Sequence, residues 1–308
     1  DVGPSERKRI DRDPPDLLLT TPESIEVILT SMLRDHERIF AGLRVVVVDE
    51  LHAFAGDDRG WHLQFMMERL EGAIHRKLQR VGLSATVGNP EELLDSFSTR
   101  PSEERIVVAP LSSDVIKPEI AIDHVGTLAN AAIVISKLHA GEKRLVFVDS
   151  RTRCEELAAA LREIGVRTFV SHGSLGLDER RQAEQAFQEG RDCVIVATST
   201  LELGIDVGDL DRIIQIDAPG TVASLLQRLG RSGRRPGSTR NCLFLTTHDF
   251  ALLQVGGLLR LWSEGFVEPL HLPPYPAHVL IQQLITLSVQ EKGMGRSRIE
   301  GWLGAALA

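Results

Sequence analysis

Five arginines and no acidic residue lie between Arg228 and Arg240, in a chain whose formal net charge is -8. The stretch runs Gln227-Arg228-Leu229-Gly230-Arg231-Ser232-Gly233-Arg234-Arg235. Its two glycines let the backbone bend and bring Arg231 and Arg234 toward one point. Planar, permanently charged guanidinium forks gathered there suit the oxygens of a phosphate chain. A basic surface turn after a helix would look the same in isolation, so the reading needs an acidic counterpart able to hold a metal. Asp49-Glu50-Leu51-His52 is that counterpart, directly after Val45-Val46-Val47-Val48. Four consecutive β-branched residues predict a strand buried on both faces of a parallel sheet. Ligands of open α/β sheets sit at the carboxyl ends of such strands, where two adjacent carboxylates can hold magnesium and orient a water. A second apolar stretch, Arg80–Leu83, runs into Ser84-Ala85-Thr86. Those hydroxyls either relay hydrogen bonds beside the carboxylates or satisfy a capped turn.

The 308 residues suggest about two domains. A hydrophobic fraction of 43% and a charged fraction of 25% are those of an ordinary globular protein. No apolar run approaches the ~20 residues of a membrane span, and the charged start does not read as a secretory signal. Cys154, Cys193 and Cys242 are widely spaced and odd in number, fitting neither a disulfide framework nor a zinc site. Reduced cysteines point to the cytoplasm. With an acidic overall balance, any nucleic-acid binding has to come from local basic patches.

The elements that must position these residues can be read in order. Residues 1–15 are charged, proline-rich and without period. Asp16–Thr20 is a strand candidate, and Thr21 caps a helix with Pro22 at its first position. Ile25, Ile28, Leu29, Met32 and Leu33 give that helix one apolar face. Ile106–Val108 is a further strand candidate, and residues 111–125 look like a connector. From residue 126 the pattern alternates cleanly. Helices are expected at about 127–140, from a Thr152/Glu155 capping box to Gly165, at Asp178–Gly190, and from Thr221 to near Gly230. Strands are expected at 145–148, 166–170, 193–197, 213–216 and 242–245. Strands separated by such helices pair in parallel, giving a five-stranded α/β domain at roughly 116–248. In the tail, Leu280, Leu284 and Leu287 mark one amphipathic helix, and Ile299, Trp302 and Leu303 a second, as at the start of a helix-turn-helix or winged helix.

Taken together, Thr21-Pro22-Glu23-Ser24, Asp49-Glu50-Leu51-His52, Ser84-Ala85-Thr86, the segment Ala197–Asp206 and Gln227–Arg234 follow the order of the superfamily 2 helicase motifs Ib, II, III, V and VI. With Ser171-His172-Gly173-Ser174-Leu175 and Leu201-Glu202-Leu203-Gly204-Ile205-Asp206, the chain resembles the Lhr-type (large helicase-related) group over nearly its whole length. The resemblance implies two RecA-like parallel-sheet domains, residues 1–115 and 116–248, followed by a helical segment 249–308 leading into a winged helix. No Gly-Lys pair occurs anywhere in the sequence, although the family carries a Walker A loop upstream of the first motif found here. The chain is therefore expected to start after that loop, leaving the first RecA-like domain incomplete.

The same resemblance implies an ATP-dependent, 3′-to-5′ helicase or translocase, with ATP and Mg2+ as cofactors. Asp49 would hold magnesium through water, Glu50 would activate the attacking water, and Arg231 and Arg234 would act as arginine fingers. His52, Ser84, Thr86, Gly204, Asp206, Gln227 and Arg228 would bind nucleotide or couple the motifs. Thr21, Pro22, Ser24, Arg151, Ser171, His172 and Thr198 would contact the backbone of a single-stranded or partly duplex nucleic acid, DNA favoured, without reading sequence. Two rival readings are a non-catalytic binding module and a motor subunit completed by another polypeptide.

Overall fold

The four valines do form a strand, but its environment differs from the expectation. The computed structural model describes residues 4–31, 33–98, 104–109, 117–173, 185, 192–198, 210–233, 235, 237–274, 276–293, 295, 299 and 301–302. Two compact units emerge: Asp1–Ala109 with Pro269–Ala308, and Pro110–Glu268.

The first unit contains α1 (Pro4–Arg12), α2 (Pro22–Thr30), α3 (His36–Phe40), β1 (Val45–Val48), α4 (His52–Ala55), α5 (Asp58–Ala73), β2 (Gln79–Gly82) and α6 (Pro90–Phe97). β1 and β2 pair in parallel, Val45 opposite Gln79 and Val48 opposite Gly82. Val46 and Val48 join a core with Leu29, Phe40, Met67 and Leu70. Val45 and Val47 are exposed, Val47 by 57%. Helices therefore cover one face of this two-stranded sheet, and the period of two leaves alternate side chains on the other face.

Several local expectations are corrected here. Asp16–Thr20 and Ile106–Val108 are not strands; a strand exists by its ladder, and neither segment has one among the described residues. Pro4–Arg12, which shows no period in the sequence, is helical. Leu33 lies beyond the end of α2, which the extended backbone of Ser31 terminates, and is exposed. Met32 is outside the described residues.

The second unit contains β3 (Glu119–His124), α7 (Leu128–Lys137), β4 (Lys143–Phe147), α8 (Arg151–Glu163), β5 (Thr168–Ser171), β6 (Cys193–Ala197), β7 (Arg212–Ile216), α9 (Val222–Leu229), β8 (Asn241–Thr246) and α10 (Asp249–Ser263). Its sheet is parallel throughout, in the order β3-β8-β7-β4-β6-β5. The sixth strand, β3, occupies what the sequence suggested was connector. Here both faces are covered. Leu145, Phe147, Ile195, Ile213 and Phe244 face Val222, Leu225 and Val255. Their neighbours Val146, Val194, Val196 and Ile214 face Ile135, Leu157 and Leu161. Ser150 rather than Thr152 caps α8, its hydroxyl accepting from Arg153 N at 3.3 Å. The helix thus starts at Arg151, immediately after Ser150, leaving Thr152 inside its first turn. Of the helix expected at 178–190, Gln185 alone is described, and it is helical. All three cysteines are buried and free; burial pushes the Cys154 and Cys242 thiols up to about 12.

After Glu268 the chain returns to the first unit. Asn89 grips the backbone of Leu270 twice, donating to its carbonyl at 2.9 Å and accepting from its amide at 2.8 Å. Trp61 Nε1 donates to Pro273 O at 2.7 Å. α11 (Ala277–Gln290) then packs Val279 and Leu287 against Phe65 of α5, with Trp302 alongside. α5 is consequently buried on several sides, and its Gln64, Glu68, Arg69 and Glu71 are interior polar residues. Each has partners: Arg80 of β2 meets Glu68 at 2.6 Å and Glu71 at 3.1 Å. Among the described residues, no helix is long and apolar enough to cross a membrane.

α5 organises the first core, so Leu70→Ala should lower unfolding free energy by about 2–5 kcal/mol, as cavity-forming substitutions do. A urea titration followed by circular dichroism reads this; a midpoint unchanged from the parent would contradict it.

Candidate functional site

Parallel pairing places the turns after β1 and β2 side by side. Leu83 N donates to Val48 O and Leu51 N donates to Leu83 O, both at 2.8 Å, extending the register past the strands. Gly82 permits this approach, because a Cβ there would lie 2.5 Å from Leu51 Cδ2. Glu50 sits at the turn with φ 53°, and its amide donates to Asp49 Oδ1 at 3.0 Å. Asp49 is exposed and Glu50 half-buried.

His52 ties the two turns together. Ala85 N donates to its Nδ1 at 3.2 Å, with Ser84 Oγ at 3.3 Å. Burial lowers its pKa from the usual histidine value, against the opposing pull of Glu50 and Asp49. The ring is therefore neutral near pH 7, and since Nδ1 accepts from Ala85, the proton resides on Nε2. Glu50 Oε2 lies 3.4 Å from Nδ1, but with that lone pair engaged and the ring uncharged the approach is not an ion pair. Nε2 is buried with no hydrogen-bond partner among the described residues. Thr86 is exposed one residue further on. The described residues hold no group of three metal-ligating side chains. Asp49 and Glu50 instead suit a hard cation that keeps several waters and takes other ligands from phosphate.

In the second unit, Thr221 caps α9 by accepting from Ser224 N at 3.1 Å. Glu268 adds a second cap, its carboxylate taking Val222 N at 2.8 Å and Ala223 N at 3.0 Å. Burial acts against the Glu268 charge, but these amides prevail and its pKa is lowered. Gln227 is half-buried, whereas Arg228 is buried, bonded to Gln215 and stacked 4.8 Å over the Phe147 ring. Its guanidinium is committed to the interior of the unit. Arg231 follows in the turn after the helix, its amide donating to Arg228 O at 2.9 Å. Ser232 is pinned by Asn241, whose amide donates to its hydroxyl at 2.9 Å. Gly233 has φ 68°, and a Cβ there would stand 2.5 Å from Arg240 N. Only glycine fits. Arg234, Gly204 and Asp206 lie outside the described residues.

Thr21 and Ser24 are exposed at the N-terminus of α2, where Thr21 Oγ1 accepts from Ser24 N and Pro22 fills the first helical position. Arg151 is exposed at the start of α8. Ser171, His172 and Thr198 come together at the carboxyl ends of β5 and β6, with Thr198 N donating to Ser171 O at 3.2 Å. All three are largely buried, and His172 Nε2 meets Glu155 at 2.8 Å.

Sequence reading missed the groups that brace these elements. Arg153 meets Asp217 at 2.7 Å and Thr247 Oγ1 at 3.1 Å, linking α8 to the ends of β7 and β8. Glu268, Asn89 and Arg69 were missed as well. No local pattern marks them, since each meets a partner distant in sequence.

Residues 2–93 match the DEAD/DEAH box helicase family, and residues 125–236 match the helicase conserved C-terminal domain. The Lhr helicase/probable uracil glycosylase of Mycolicibacterium smegmatis is 31% identical over 94% of this chain and 22% of its own length. The ATP-dependent helicase Lhr-Core of Saccharolobus solfataricus is 30% identical over 94% of this chain and 35% of its own length. This chain therefore spans between about a fifth and a third of these curated relatives. Among solved structures, Mycobacterium smegmatis helicase Lhr bound to ssDNA and AMP-PNP superposes with a TM-score of 0.84 at 32% identity, covering 99% of this chain and 41% of the other.

Two outcomes follow from the geometry. Gly233→Ala should destabilise the second unit by more than about 1 kcal/mol, since the backbone there is incompatible with a side chain; a variant with parental thermal stability would count against the tight turn. His52 should titrate below the ordinary histidine pKa and show the Nε2–H tautomer in 15N-edited NMR. Its folded pKa is depressed, so the unfolded chain binds the extra proton and this contribution to stability is lost as pH falls below about 6.5. An Nδ1–H signal would contradict the assignment.

Proposed function

Because this chain belongs to the DEAD/DEAH-box helicases and matches their Lhr members along nearly its whole length, we propose that it is the motor part of an ATP-dependent helicase or translocase working on DNA in the cytoplasm, moving 3′ to 5′. The observation that carries this reading is the acidic turn locked to the Ser84-Ala85-Thr86 turn through His52. That arrangement holds two carboxylates at the carboxyl end of a parallel strand, beside a buried N–H that has no acceptor among the described residues.

In this reading Asp49 would hold Mg2+, and Glu50 would orient or deprotonate the attacking water. Magnesium supplies charge neutralisation on the phosphates. Arg231 and Arg234 place positive charge on the transferred group, an effect worth roughly 10³–10⁵ in rate. The neutral His52 keeps an Nε2–H donor that has no partner among the described residues, while Gly204 and Asp206 serve the nucleotide. Arg228 acts by holding α9 in place. Thr21, Ser24 and Arg151, which are exposed, and the largely buried Ser171 and Thr198 offer hydroxyls, amides and one guanidinium to strand phosphates, which gives affinity without sequence preference; Pro22 shapes the first turn of α2, and His172 lies beside Ser171.

Strand affinity should fall steeply with salt, by a log–log slope of about -0.7 per phosphate contact. Fluorescence anisotropy with an oligothymidylate reads it, and a flat titration would point to a protein ligand instead. Where the chain is joined to a phosphate-binding loop, Arg231→Ala should lower strand-stimulated ATP hydrolysis by roughly 10³ and leave nucleotide-free strand affinity unchanged. Undiminished turnover would remove Arg231 from the reaction.

A further inference from the structure

Arg69 lies in the middle of α5 with its side chain fully buried, and it spends its guanidinium on two other helices. Nη1 donates to Glu26 Oε1 of α2 at 2.5 Å, and to Gln283 Oε1 at 2.9 Å and Thr286 Oγ1 at 3.0 Å of α11. Nε and Nη2 share Gln290 Oε1, at 3.1 and 2.9 Å. Glu26 Oε2 meets His62 Nε2 at 3.2 Å. Burial opposes the Glu26 charge, yet His62 and Arg69 overcome it and hold the carboxyl down at about 2. Glu26 is therefore an anion, and α11 surrounds its arginine with neutral oxygens that orient the guanidinium without competing for its charge. Apolar side chains of similar volume often serve a purely packing role as well, so a buried ionic network is weak evidence for stability and can serve instead to fix one geometry.

What it fixes is α2. That helix has nine residues and buries two of them, Ile28 and Leu29. Glu26 sits one turn from its N-terminus, so the grip is applied directly behind Thr21 and Ser24. We propose that Arg69 is a positioning residue for strand binding: held by Gln283, Thr286 and Gln290, it sets the first turn of α2 through Glu26. Strand affinity at the front of the chain thereby depends on a helix that follows the second unit. This inference rests on the nucleic-acid reading of Thr21 and Ser24.

The test is a double-mutant cycle on the 308-residue chain, with Thr21→Ala, Arg69→Met and the pair. Affinity for an oligothymidylate is measured by anisotropy, at a temperature where circular dichroism shows every variant folded. Arg69→Met should weaken binding by about tenfold, and Thr21→Ala should cost less in that background than in the parent chain, because coupled residues do not add. Gln290→Leu leaves Glu26 and Arg69 paired but loosens the tail's hold; it should weaken binding in the same direction and remains informative if Arg69→Met does not fold. Losses that simply add, or parental affinity in Gln290→Leu and Arg69→Met alongside a lower melting temperature, would show a structural role only and overturn the proposal. An unaltered chain without measurable strand affinity would instead remove the nucleic-acid reading, and this inference with it.

Discussion

Parallel pairing of Val45–Val48 with Gln79–Gly82 is the constraint on which the acidic site depends. Two strands running the same way finish at the same end, so whatever follows them is forced into proximity. Here those sequels are an acidic turn and a hydroxyl-bearing turn. Backbone bonds through Leu83 carry the register beyond the strands, and the missing side chain of Gly82 lets Leu51 close over the junction. His52 can then reach Ala85 N, which fixes both its tautomer and its neutrality. A shift of one residue in that register would turn each side chain to the opposite face and separate the two turns.

The second unit solves the corresponding problem by fastening a turn at both sides. α9 enters it with its amides satisfied by Thr221 and Glu268, and Ser232 leaves it bonded to Asn241 of β8. Gly233 meets Arg240 at a distance no side chain tolerates. Burial of Arg228 against Phe147 and Gln215 adds a fixed point inside the unit. A basic turn so constrained presents Arg231 from a rigid frame, which is what preorganised charge stabilisation asks of a protein.

Features governed by nearest neighbours were legible in the sequence. Thr21 with Pro22, Thr221, and the alternation in the second unit each express local chemistry, and the structure follows them. Failures came where a distant partner decides. Val45 and Val47 read as buried, but whether a strand face is covered depends on helices the four residues do not encode. Ile106–Val108 has strand composition without a ladder. Ile120 and Ile122 looked like connector because β3 alternates with charged residues, Glu119 and Asp123, at the sheet's edge. In α5, Glu68, Arg69 and Glu71 resemble a solvated face, yet Arg80 and a helix more than 200 residues away enclose them (Arg69 to Gln290 spans 221 positions). The candidate acids, hydroxyls and Arg231 were legible by motif; their braces, Arg153, Glu268, Asn89 and Arg69, were not.

Hydrogen–deuterium exchange with and without a saturating oligothymidylate addresses the central proposal most directly. A strand held by Thr21, Ser24, Arg151, Ser171 and Thr198 should slow amide exchange in the peptides covering residues 21–26, 150–154, 170–173 and 197–198, with little change in α10. Protection confined to other surfaces, or none at a concentration that saturates binding, would contradict the assignment of this chain as a single-strand motor.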